Sequence, residues 1–336
     1  MTVLEWRLEK LLKEHERNQD GYLDLIHHCG KIQNTQTAMR VFTLMENHGI
    51  KPTSTVIDAL ISAHLSSGNT TTALSIYEIM QNSDEYKPTA RTYNLFISAF
   101  AKLGNSKAML GWYSAKIAAG FMADLDTYDA LILGSIKLKK YKDADRFYEE
   151  MSVADITPNS SILHNRLVGF CEQKDLVKIR EFLKTILDHK WEINHYTAEK
   201  LVRFYCELEL MEELEWMIVV LGESNHSQDF DIISQVYNGL ISVYTKLDRL
   251  DDVEYSVGRM LKQGASFRSH KDVEKVICLY FRKSAYDRLD VFLEFIKVSH
   301  KLERSTYELL VAGYRRAGLY EKVDLVIKDL DTVGTC

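Results

Sequence analysis

Thr92-Tyr93-Asn94-Leu95-Phe96-Ile97 and, 35 residues later, Thr127-Tyr128-Asp129-Ala130-Leu131-Ile132 carry the same order of side chains. Val56-Ile57-Asp58-Ala59-Leu60-Ile61 precedes them, and Val236-Tyr237-Asn238-Gly239-Leu240-Ile241 and Thr306-Tyr307-Glu308-Leu309-Leu310-Val311 return to the pattern further along. The only three prolines mark the same period: Pro52, Pro88 and Pro158 stand 36 and then 70 residues apart, the second gap being twice 35. Self-similarity at such a period is the signature of stacked helical hairpins.

Reading the period outwards gives units at 19–53, 54–89, 90–124, 125–159, 160–194, 195–233, 234–269, 270–303 and 304–336. Each predicts a helix of about a dozen residues, a short polar turn and a second helix. In the second helices Ala38, Ala73, Ala108 and Ala144 are small enough for close approach. Four residues on stand Phe42, Tyr77, Trp112 and Tyr148, then Met45, Met80 and Met151, the stripe of a buried helix face. Gly49, Gly120 and Gly264 fall just past the second helices, where a left-handed cap favours glycine, and proline blocks continuation. One such pair cannot bury its apolar face, so neighbours must stack. The expected fold is all-α: a right-handed superhelical α-solenoid of about nine helix-turn-helix repeats, its first helices lining the concave side. Residues 1–18 read as an N-terminal capping helix, and Gly222 to Asp231 as a polar insertion.

Composition narrows the function. The 336 residues carry a formal charge of −6, with 46% apolar and 27% charged residues, which excludes a disordered chain. The longest apolar run, Trp216 to Leu221, is far short of the roughly 20 residues a membrane span needs. Five unclustered cysteines argue for a reducing compartment. Glu5, Glu9, Glu14 and Glu16 fit neither a secretory signal nor an acid-poor transit peptide. No phosphate-cradling glycine loop and no nucleophile elbow is present, so no catalytic residue and no cofactor is assigned, and the chain is not expected to be an enzyme. His27-His28-Cys29 is the one metal-like cluster, and neighbouring helical residues diverge by about 100°, so no metal is assigned either. Cys171, Cys206 and Cys278 read as buried thiols in first helices, and Asp248, Asp251 and Asp252 as caps of a second helix.

No unit shows the Trp-x-x-Leu-Gly-x-x-Tyr of tetratricopeptide repeats. The units resemble plain pentatricopeptide repeats, as found in plant organelles, with Thr-Tyr-Asn-x-Leu-Ile opening the unit and Met-x-x-x-Gly-x-x-Pro-Asp/Asn closing it. The resemblance covers 19–336 and is strongest in 54–89, 90–124, 125–159 and 234–269. It implies single-stranded RNA as the partner, one nucleotide per repeat, in a chloroplast or mitochondrion, for transcript stabilisation, splicing or translation. The alternative is a protein-binding scaffold in a larger ribonucleoprotein or transcription complex, favoured by the acidic balance.

The resemblance also assigns residues. The residue after the first-helix tyrosine and the last residue of the unit face the base: Asn94 with Asp124, Asn238 with Ser269, Asp129 with Asn159 and His164 with Asn194. Asn94/Asp124 matches the family's uracil-reading pair and Asn238/Ser269 a pyrimidine-reading pair that prefers cytosine. Leu23/Thr53, Asp58/Thr89, Asp129/Asn159, His164/Asn194, Glu199/Ile233 and Glu274/Glu303 depart from the code. Eight residues after the first-helix positions stand Lys31, Lys102, Lys137, Lys246, Arg282 and Arg316, implied to follow the phosphate path, while Ser66, Glu172 and Glu207 break the series. Cations also suit any helix C-terminus, and Asp58, Asp129, Glu199, Glu274 and Glu308 suit a first turn, so both sets have a purely structural reading.

Overall fold

A computed structural model of the chain describes residues 19–83, 85–191, 193–223, 230–297 and 300–333. Among the described residues there are eighteen α-helices and no strand. The chain divides into two compact units, residues 1–169 and 170–336. The expected capping helix at 1–18 and most of the insertion at 222–231 lie outside the described residues.

In the first unit the pairs are α1 (Gln19–Lys31) with α2 (Thr35–Asn47), and α3 (Ser54–Ser66) with α4 (Thr70–Asn82). Then come α5 (Ala90–Lys102) with α6 (Ser106–Ala118), and α7 (Leu125–Lys137) with α8 (Tyr141–Val153); α9 (Ser160–Gln173) begins in this unit. In the second unit α10 (Leu176–Asp188) is followed by α11 (His195–Glu207) with α12 (Met211–Glu223), and α13 (Phe230–Lys246) with α14 (Leu250–Lys262). The chain continues with α15 (His270–Arg282) and α16 (Tyr286–Lys297), then α17 (Arg304–Arg316) and α18 (Tyr320–Val333).

Local chemistry starts and stops these helices. Asp124 caps α7: its Oδ1 accepts from the Thr127 N–H at 3.0 Å while the Asp124 N–H returns to Thr127 Oγ1 at 3.2 Å. Asn34 and Asn105 cap α2 and α6 in the same manner, at 3.0 and 3.1 Å. Gly49, Gly120 and Gly264 hold φ of 72°, 86° and 75°, the left-handed conformation assigned to them. The turns inside the repeats use the same conformation at Gly68, Gly104 and Gly318, but also at Lys139, Asp248 and Ser284. Asp248 is therefore no helix cap, contrary to the expectation; Arg249 occupies the N-cap of α14.

The core is built along both helix layers. In α5, Tyr93, Phe96, Ile97 and Ala101 are buried, and Phe96 stacks on Trp112 of α6 at 4.0 Å between ring centroids. First helices pack on one another, α1 on α3, α3 on α5 and α5 on α7 in the first unit, and α11 on α13, α13 on α15 and α15 on α17 in the second. Glycines permit this approach. A Cβ on Gly134 of α7 would meet Ala101 Cβ at 2.9 Å and Cα at 3.1 Å on α5, and one on Gly313 would enter the Phe281 ring. Each unit is thus a stack of helix hairpins in which every first helix rests on the next.

Candidate nucleic-acid interface

Because first helices lie side by side, residues at the same register line up along their common face. The fifth residue of α3, α5 and α7 is Asp58, Asn94 and Asp129. Each reaches the opening turn of the following first helix. Asp58 Oδ1 accepts from Thr92 Oγ1 at 2.7 Å, and Asp129 Oδ1 accepts from Ser161 Oγ at 2.9 Å. In the second unit Glu274 Oε1 accepts from Ser305 Oγ at 2.7 Å and Thr306 Oγ1 at 3.2 Å. These acids staple one repeat to the next, a role beyond the favourable helix-dipole position read from sequence. Burial pushes the Asp58 and Asp129 carboxyls above the ordinary carboxylate range, against the hydrogen bonds they accept.

Asp58 is 2% exposed, and its charge opposes folding. Asp58→Asn keeps an acceptor for Thr92 without the charge and is expected to raise the melting temperature by about 2 °C at neutral pH. The sign follows from the raised native pKa. The native state binds the proton more readily than the unfolded chain, so the gain should shrink as pH falls through that raised value toward 3.8. Thermal melts of both proteins across that range check this.

Asn94 makes a different connection. Its Nδ2 donates to Asp124 Oδ1 at 2.8 Å, so the structure joins this pair directly. Between them, from α6, comes Lys116, a fully buried side chain that sequence reading did not single out. Its ammonium donates to Thr127 Oγ1 at 2.6 Å, Asp124 Oδ2 at 2.8 Å and Asn94 Oδ1 at 3.0 Å. Three N–H groups meet three acceptors, which is how a buried lysine is tolerated. Burial works against the Asp124 charge, yet the bonds from Lys116, Thr127 and Asn94 hold its carboxyl below the ordinary range. Asn94, Asp124 and Asp129 open onto one groove with Arg91, Lys102 and Asp126.

The other assigned residues are placed as follows. Asp129 bonds the opening of α9, where Asn159 caps the helix by accepting from the Ile162 N–H at 2.9 Å. His164 lies on α9, in the first unit, and Asn194 caps α11, in the second, accepting from the Thr197 N–H at 2.8 Å. Asn238 does not hydrogen-bond Ser269 among the described residues. Its Nδ2 donates to the backbone oxygens of Ser234 at 2.6 Å and Ser266 at 3.0 Å, while Ser269 Oγ donates to Asp272 at 2.8 Å.

The cations divide. Lys31, Lys102, Lys137, Lys246 and Arg316 are exposed and form no salt bridge among the described residues. Arg282 is committed elsewhere: its guanidinium holds Asp248 at 2.8 Å and the Thr245 carbonyl at 2.9 Å. Lys246 and Arg282 line a second groove, in the second unit, where Arg203, Lys271 and Lys275 add positive charge against Glu207, Asp248 and Glu274. Arg203, Lys271 and Lys275 fall outside the eight-residue register and were not legible from it. No group of three or more metal-ligating side chains occurs among the described residues, and Cys29 of the His-His-Cys run is buried. Cys171, Cys206 and Cys278 are half-buried rather than buried, and burial still pushes the Cys171 and Cys206 thiols up to about 12 and about 11.

Tandem helix hairpins, close first helices and a polar register facing a groove define an α-solenoid repeat protein. A family profile described as pentatricopeptide repeat-containing protein matches residues 20–151, and one for the single PPR repeat matches residues 235–264. The chloroplastic pentatricopeptide repeat-containing protein PPR5 of Zea mays is 38% identical over 90 residues, 26% of this chain and 18% of that protein. The mitochondrial 15S rRNA processing factor CCM1 of Yarrowia lipolytica is 30% identical over 125 residues, 36% of this chain and 16% of that protein. In three dimensions the pentatricopeptide repeat protein PPR10 from maize aligns with a TM-score of 0.65 at 18% identity. That alignment covers 99% of this chain and 47% of the maize protein, and the likeness is one of fold. PPR10 in complex with an 18-nt psaJ RNA element aligns with a TM-score of 0.54. Over residues 20–151 and 235–264 the chain carries pentatricopeptide repeats.

Proposed function

We propose that this chain binds single-stranded RNA along its first-helix face, inside a chloroplast or mitochondrion. It acts there without catalysis, supporting stabilisation, splicing or translation of a transcript. The single observation that carries the reading is the Asn94–Asp124 hydrogen bond, 2.8 Å long, at the edge of a groove that also holds Lys102. An amide donor beside an ionised carboxylate complements the carbonyl and imide N–H of uracil, and a cation on the same groove suits the adjoining phosphate. The chloroplastic and mitochondrial names of the curated relatives, and the RNA bound by the maize solenoid, support the compartment and the ligand class.

The test is a competition between RNA strands differing at one base. Wild type is expected to favour uracil at that nucleotide, and Asn94→Thr to shift the preference toward guanine, with affinity for an unstructured strand otherwise little changed. Identical rankings of the four bases by both proteins would remove this pair from recognition.

A protein partner is the second reading. It is favoured by Tyr255, Val291 and Phe295, exposed at 65%, 62% and 63% on the second helices α14 and α16. Binding of a protein with no affinity for RNA would select it.

A further inference from the structure

Counting 22 residues on from the base-facing position reaches Met45, Met80, Met151 and Met260 in four repeats, Ile186 and Ile296 in two others, and Leu221 and Leu330 in two more. The four methionines and two isoleucines are fully buried core side chains. The repeat that carries Asn94 departs from this: the same register holds Lys116, equally buried, its ammonium turned to the base-facing pair. A lysine can only donate, so the Asn94 atom 3.0 Å from Nζ is the carbonyl oxygen. The amide acceptor is therefore spent inside the protein. Of the two Nδ2 hydrogens one goes to Asp124, and the other has no partner among the described residues. Asn94 is left as a donor only.

Asn238 supplies the comparison within the same chain. Its register partner is Met260, which has no N–H to offer. Its amide is turned the other way: Nδ2 faces the carbonyls of Ser234 and Ser266, and Oδ1 is buried with no partner among the described residues. The same side chain at the same register takes opposite polarity: outward N–H where Lys116 and Thr127 donate to its oxygen and Asp124 accepts from its nitrogen, inward N–H where Met260 stands behind it.

We propose that Lys116 is a specificity-determining positioning residue. By fixing the Asn94 amide with its N–H outward and the Asp124 carboxylate beside it, it makes this repeat select a base edge that offers a carbonyl acceptor next to an N–H. This rests on the RNA reading above and deepens it. Without Lys116 the amide oxygen keeps only the Thr127 hydroxyl, which donates to it at 2.8 Å, and Asp124 loses its ammonium. The pair is then held less firmly, and discrimination falls while phosphate contacts, made elsewhere, persist.

The variants are Lys116→Met, the residue that four other repeats bury at this register, and Lys116→Gln, which keeps a donor without the charge. Both are measured for base preference in strands differing at the one nucleotide, for affinity to a mixed-sequence strand, and by NMR of asparagine side-chain amides in selectively labelled protein. Lys116→Met is expected to lose about tenfold in preference for uracil over cytosine, the worth of one oriented hydrogen bond. Its affinity for the mixed strand should stay within about twofold of wild type, and Lys116→Gln should retain the wild-type ranking. A Lys116→Met protein that ranks bases like wild type, or that weakens on all strands equally, overturns the proposal. If wild type binds no RNA, the RNA reading fails and base selection with it. The amide spectrum then judges the clamp separately, since Asn94 signals unchanged by Lys116→Met would show that the lysine does not fix them.

Discussion

Replacing Lys102 and Lys137 together by alanine is expected to flatten the salt dependence of RNA binding by about 1.4 in log–log slope, from about −3.5 for the wild-type protein. The figures follow from about 0.7 per phosphate neutralised on a single strand. Five cations enter the wild-type value because Arg282, the sixth in the register, is held by Asp248 and by the Thr245 carbonyl. Lys102 and Lys137 end neighbouring helices that pack on each other, which on the proposed RNA reading sets them against successive phosphates. Affinity at physiological salt should fall by one to two orders of magnitude, while the ranking of bases at the Asn94 nucleotide stays as it was. Lys102 shares its groove with Arg91, Asp124, Asp126 and Asp129, so its loss leaves Arg91 facing three carboxylates. Titrations by fluorescence anisotropy at four or five salt concentrations measure both quantities. A slope near zero in wild type, with binding intact, would transfer the function to a protein partner.

Gly134→Val is expected to be the most damaging single change to the first unit, costing about 2–3 kcal/mol. A Cβ there meets the backbone and side chain of Ala101 at 3.1 and 2.9 Å, and also Met109 Sδ. Met109 is a flexible side chain, but it is buried and the Ala101 backbone cannot yield, so α5 and α7 must separate. That separation would pull Asn94 away from Asp124, whose hydrogen bond spans these two helices. RNA affinity and stability should therefore fall together. Gly111, inside α6 with nothing within 4 Å of a new Cβ, is the control. Gly111→Ala should stabilise by up to about 1 kcal/mol through helix propensity alone. Urea unfolding of both variants checks the contrast; a Gly134→Val protein as stable as wild type would refute the close-packed first-helix layer.

The sequence alone determined the repeat. Its period, the alternation of helix and turn, the glycine caps and the apolar stripe are all set by interactions within about four residues, and these survive in the order of the side chains. Once Tyr93, Phe96 and Ile97 recur as Tyr128, Leu131 and Ile132, stacking is the one way to bury them. The face that carries Asn94 and Lys102 follows from the same register. Only the tertiary structure decided what those residues do, because their partners lie a repeat away. Asp58 and Glu274 stand at base-facing positions yet bond the next helix, 34 and 32 residues on. Arg282 keeps the register of a phosphate contact yet turns to Asp248, 34 residues back. Lys116 departs from a methionine register, a signal visible in the sequence, but its meaning was not. A buried ammonium must find acceptors for all three of its N–H groups, and which three it finds depends on where two other helices place Asn94, Asp124 and Thr127.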